Sequence, residues 1–81
     1  MKEQEILNDI QFIFRRFFKN DDLLVSKTSS ANNIKGWDSF SHMMLMYEVE
    51  KMFDIHLSLN EIIELQNIAD LLALILKKQK P

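Results

Sequence analysis

The chain has 81 residues, 47% hydrophobic and 27% charged, and a net charge of −2. That balance describes a single small globular domain over residues 1–81, and it leaves no basic footprint for nucleic acid. Cysteine is absent and only two histidines are present, so disulfides and thiolate metal sites are excluded and no zinc centre is expected.

Met1-Lys2-Glu3-Gln4-Glu5 is charged and leads into no long apolar run, so no signal peptide is expected. The first helix is predicted over about Glu3 to Phe18. Ile6, Ile10, Ile13 and Phe17 recur at helical spacing, and Leu7, Phe14 and Phe18 widen the stripe. Asn20-Asp21-Asp22 breaks the pattern. A polar connection of roughly 17 residues follows, long enough to suggest a functional loop. Leu23, Leu24, Val25 and Ile34 are expected to pin it to the core.

The second helix is predicted from about Ser39 to Phe53. It carries two apolar stripes: His42, Leu45, Met46, Val49 and Phe53 on one side, and Phe40, Met43, Met44 and Tyr47 on the other. A surface helix needs one such stripe, so the first is assigned to the core and the second to an exposed partner surface. Ser58-Leu59-Asn60-Glu61 has the form of a capping box and opens a short third helix ending near Leu65. Asn67 caps a fourth, with Ile68, Leu71, Leu72 and Ile75 facing inward and Lys77, Lys78 and Lys80 near its negative end. One glycine and one proline, Pro81, fit an all-α fold: a four-helix bundle with a short third helix. Leu71 to Leu76 is the longest apolar run and is too short to span a bilayer, so a cytoplasmic protein with no membrane insertion is expected.

Gly36-Trp37-Asp38-Ser39-Phe40 stands immediately before the second helix. A helix N-terminus presents unpaired N–H groups and the positive end of the macrodipole, so it tolerates an attached phosphate. Asp-Ser at that point is also an ordinary N-cap, and on five residues alone that reading is the better one. Ser26, Ser29, Ser30 and Ser41 lack the preceding aspartate at a helix start, and Ser58 is explained as a cap. Trp37 is read as a packing residue, and His42 as a packing or partner-contact residue. His56 has no companion ligands, and Glu48 and Glu50 are expected to be solvated.

Long helix, long loop, serine at a helix start, long helix, short helix and final helix, taken in that order, resemble the acyl carrier protein family over nearly the whole chain. The run from Asp38-Ser39-Phe40 to Phe53-Asp54-Ile55, with Glu61, Ile62, Leu65, Ile68 and Ile75, is similar to that family without gaps. The Gly-Trp-Asp-Ser form resembles the discrete bacterial carriers of specialised pathways. Phe40 departs from the family's usual leucine.

The resemblance implies that Ser39 carries 4'-phosphopantetheine, donated by coenzyme A, and that acyl groups ride on the arm's thiol as thioesters. It implies that Asp38 helps a phosphopantetheinyl transferase organise Mg²⁺, that the protein itself catalyses nothing, and that no metal is resident. The implied partners are that transferase and acyl-loading, condensing or acyltransferase enzymes meeting a monomer. Two alternatives stand beside this reading. One is a peptidyl or D-alanyl-type carrier loaded by an adenylating enzyme; the other is an unmodified helical interaction module.

Overall fold

Polar side chains decide where the helices start. The computed structural model describes residues 2–79 as α1 (Lys2–Phe18), α2 (Ser39–Phe53), α3 (Leu59–Glu64) and α4 (Ile68–Lys78), with no strand among them. Asp38 caps α2, Ser58 caps α3 and Asn67 caps α4, each accepting a backbone N–H of the first turn. The capping box anticipated at Ser58 and Glu61 is formed in both directions. Lys80 lies outside the described residues.

One apolar cluster joins all four helices. Ile6, Ile10, Ile13 and Phe14 come from α1, Leu45, Met46 and Val49 from α2, Ile62 from α3, and Ile68, Leu71, Leu72 and Ile75 from α4. The stripe assigned to the core of α2 is thus the buried one, except that His42 and Phe53 are only half-buried. Phe40, Met43, Met44 and Tyr47 are exposed, as expected of the other stripe. The close helix–helix approaches are α1 with α2 and α1 with α4, and the six-residue α3 is tied in by side chains.

Residues 19–38 form a chain of turns whose polar groups are bonded to the helices. The Arg15 Nε–H donates to the Leu23 carbonyl at 2.7 Å, and the Val25 N–H donates to Gln11 Oε1 at 2.9 Å. The Ser29 and Lys27 carbonyls accept the N–H groups of Ile68 and Ala69, both at 2.9 Å, and so satisfy donors that the first turn of α4 would otherwise leave free. Val25 and Ile34 are buried and Leu23 is half-buried, as pins. Leu24 does not serve as one: it is 77% exposed, because the bonds on either side of it turn its side chain outward.

The α3 cap ties the end of the bundle electrostatically. Glu61 Oε1 accepts the Ser58 N–H at 2.8 Å and lies 2.9 Å from Lys78 Nζ on α4. The Ser58 N–H first, and Lys78 second, pull the Glu61 carboxyl from its ordinary 4.5 down to about 2. A carboxylate with a lowered value stabilises the fold fully above 4.5 and loses that contribution as pH falls toward 2. The parent should therefore melt higher than Glu61→Gln at pH 6, and the gap should close as pH approaches 2 in thermal melts. A gap that stays constant over that range would contradict the assignment.

Candidate functional site

The start of α2 is built by the neighbours of Ser39. Asp38 lies in the extended region, and its Oδ1 accepts the Ser41 N–H at 2.9 Å. The Ser41 hydroxyl accepts the Asp38 N–H at 2.8 Å and donates to the Gly36 carbonyl at 2.8 Å. This capping box uses serine where glutamate or glutamine is usual, so the S/T-x-x-E/Q rule does not find it. Ser41, set aside in the sequence reading, is the buried second half of that cap. Ser39 is the first residue of α2, is exposed, and is not the capping group. The Ser41 N–H also holds the Asp38 carboxyl below the usual carboxylate range, so the residue before Ser39 stays ionised.

The loop enters this cap through Gly36, whose φ is +92°. A side chain there would be strained, and its Cβ would lie 3.2 Å from Phe18 Cε1.

Trp37 and His42 fasten the loop, α2 and α3 together. The buried indole packs edge-on against Phe14, with centroids 5.0 Å apart, and stacks on His42 at 5.8 Å. Its Nε1–H donates to His42 Nδ1 at 3.0 Å. That nitrogen must therefore be unprotonated, so Nε2 carries the proton and donates to the Ile62 carbonyl at 2.8 Å. Trp37 is the packing residue anticipated, and His42 adds an α2-to-α3 bridge that spacing did not reveal.

A groove of about 170 Å³ opens beside Ser39. Trp37, Asp38, Ser39 and His42 form one wall, and Ile63 and Leu65 the other. Phe40 (75% exposed) and Met44 (46%) lie on the adjoining face of α2, with Met43 (42%) and Tyr47 (59%).

The α2 carboxylates are not free, contrary to the expectation that both are simply solvated. Glu50 Oε2 accepts the Leu57 N–H at 2.8 Å and lies 3.5 Å from His56 Nδ1. Glu48 lies between Lys51 at 3.4 Å and Arg16 at 3.9 Å. The Lys51 ammonium also sits 4.9 Å from the centre of the Tyr47 ring.

The four-helix domain thus presents an exposed serine at the head of α2, outside the cap that Asp38 and Ser41 make. A solution NMR structure of the holo acyl carrier protein from Geobacter metallireducens matches it with a TM-score of 0.81 and 39% sequence identity, covering 89% of this chain and 83% of that one. The chain belongs to the acyl carrier protein family. No protein-family model and no curated protein matches it. Among the described residues, no helix is long and apolar enough to cross a membrane.

The Gly36 turn gives a direct test of how the serine is delivered to the helix. Gly36→Ala should lower stability by roughly 1–3 kcal/mol, from the left-handed backbone and the crowding against Phe18. Chemical denaturation measures this, and an unchanged midpoint would mean that the loop reaches α2 by another path.

Proposed function

We propose that Ser39 is the attachment point of a 4'-phosphopantetheine arm, and that the protein is a non-catalytic carrier of acyl groups for a specialised bacterial biosynthetic pathway. The observation that carries this reading is the division of labour at the start of α2. Asp38 and Ser41 make the cap between them, so the exposed Ser39 hydroxyl is left to become the ester oxygen of a phosphate. When attached, the arm supplies the thiol that this cysteine-free chain lacks. The residues present fit the group. The N-terminal end of a fifteen-residue helix favours the phosphate, and the groove between α2 and α3 offers a path along its wall. Asp38, kept ionised by the cap, is the carboxylate that would help a transferase hold Mg²⁺.

Incubation with a broad-specificity phosphopantetheinyl transferase, Mg²⁺ and coenzyme A should add one arm, at Ser39, as seen by intact mass and peptide mapping. Ser39→Ala should take up none and should stay within about 0.5 kcal/mol of the parent, because the cap does not use its hydroxyl. An adduct on another serine, or no adduct, would defeat the assignment.

Phe40, Met43, Met44 and Tyr47 serve as the docking face for the transferase and for acyl-loading, condensing or acyltransferase enzymes in the cytoplasm. Support comes from their exposure beside Ser39 and from the chemistry of methionine, which adapts to more than one partner. Glu48 and Glu50 are both engaged within the protein, so steering by a basic partner is weak and apolar burial supplies the contact. Met44→Glu should slow transferase modification several-fold, whereas raising salt across the Debye range should change the parent's rate little. A steep fall with ionic strength, or indifference to Met44→Glu, would overturn apolar docking.

A further inference from the structure

The chain carries five methionines and no cysteine, so thioethers are its only oxidisable sulfur. Met43, Met44, Met46 and Met52 all lie on α2, and their surroundings divide them. Met46 is fully buried in the core, whereas Met43 (42% exposed), Met44 (46%) and Met52 (41%) meet solvent. Met43 and Met44 stand in the second turn of the helix that Ser39 opens, on the face they share with Phe40 and Tyr47. Met52 is in the last turn, roughly 20 Å along the helix from Ser39, in a groove against Ile13 and Arg16 of α1.

We propose that Met43 and Met44 form a reversible oxidation site, at which a peroxide switches the docking face off without disturbing the fold. The proposal rests on that face being the one partners meet.

The step is a two-electron oxygen transfer. A lone pair on the thioether sulfur attacks a peroxide oxygen, an S–O bond forms and the O–O bond breaks. The proton on the sulfur-bound oxygen passes to the departing hydroxide, which leaves as water. Sulfur is oxidised and hydrogen peroxide reduced, one sulfoxide for each peroxide consumed. The return step takes two electrons from a dithiol through a methionine sulfoxide reductase, giving thioether, disulfide and water.

The sulfoxide oxygen is a hydrogen-bond acceptor where the thioether was apolar. In the free carrier water satisfies it. Under an apolar partner surface it loses that water and gains no donor, which penalises docking as any unsatisfied buried acceptor does. The one fixed cation of α2, Lys51, is already drawn to Glu48 at 3.4 Å and to the Tyr47 ring at 4.9 Å. Leu45, Met46 and Val49 hold the helix to the bundle from the other side, so the change falls on docking and not on stability.

The test treats the apo chain, in which no thiol competes for the oxidant, with hydrogen peroxide and then desalts it. Transfer of phosphopantetheine from coenzyme A by a broad-specificity transferase is measured, with peptide mapping and a thermal melt of the same sample. Met43 and Met44 should each gain one oxygen under conditions that leave Met46 a thioether. The melting temperature should hold, and transfer should slow several-fold. Sulfoxide reductases acting on both epimers, with dithiothreitol, should restore the rate. Met52→Leu should be slowed by the same factor as the parent. Met43→Leu with Met44→Leu leaves Met52 as the exposed sulfur of α2, and the treated and untreated rates of that variant should agree.

Sulfoxides mapped to Met43 and Met44 without a change in rate overturn the switch. So do thioethers at both positions after Met52 is oxidised, slowing of the double variant, a treated parent that melts lower, or a rate the reductases do not restore. If Met44→Glu slows transfer and the sulfoxides do not, apolar docking stands and the switch alone fails. Indifference to both removes the docking face and the switch together, and failure of the untreated chain to take up any arm removes the carrier reading with them.

Discussion

The packing of one indole, Trp37, holds the rest of the site in place. It is the chain's sole tryptophan, and it sits where the loop, α1 and α2 meet. Its ring edge against Phe14 anchors the loop to the longest helix, and its N–H has a partner in His42. With Trp37 fixed, Asp38 follows in the extended conformation that an N-cap requires, and Ser39 comes next as the first residue of α2. A serine can be exposed yet well positioned only if the residues before it cannot move. Here the restraint comes from an aromatic contact on one side and the hydroxyl of Ser41 on the other.

The long loop earlier in the chain obeys the same accounting of backbone polar groups. A segment without helix or sheet has donors and acceptors to satisfy, and residues 26–30 satisfy theirs in two ways. The Ser29 N–H closes a turn onto the Ser26 carbonyl at 3.0 Å, and the carbonyls of Lys27 and Ser29 accept from the first turn of α4. The loop thus serves as part of the cap of α4, with Asn67 supplying the remainder. This explains how so long a connection stays ordered, and why Ser29 is buried although Lys27 and Thr28 before it are exposed.

The helices and caps were legible in the sequence because each depends on local residues. The 3.6-residue apolar period marks α1 and α4, and Ser58-x-x-Glu61 marks α3. The start of α2 was legible from Asp38-Ser39, although which of the two is the cap was not. Long-range bonds were illegible. Nothing in the spacing of His42 and Ile62 says that an imidazole on α2 meets a carbonyl on α3, and nothing around Glu50 says that its carboxylate meets the Leu57 N–H. Both are side-chain bonds to backbone groups, and backbone groups carry no sequence signature. Leu24 was misread for a related reason: an isolated leucine in a loop follows no period, so its direction is set by bonds that the sequence does not display.

An apolar face left in water on α2 must be reconciled with a stable carrier. The core already uses Leu45, Met46 and Val49, so Met43, Met44 and Tyr47 add nothing to it. Their exposure is moderated locally. Lys51 lays its ammonium over the Tyr47 ring and also lies near Glu48, so ring and cation are each partly covered while no partner is bound. Methionine has an unbranched, flexible side chain, and its exposure next to Ser39 gives a surface that can repack against differently shaped partners. Fixed charge on the same helix would narrow that choice to partners of one sign. Because Glu48 and Glu50 already have partners inside the protein, the exposed face beside Ser39 is left predominantly apolar, with little uncompensated charge from its own helix.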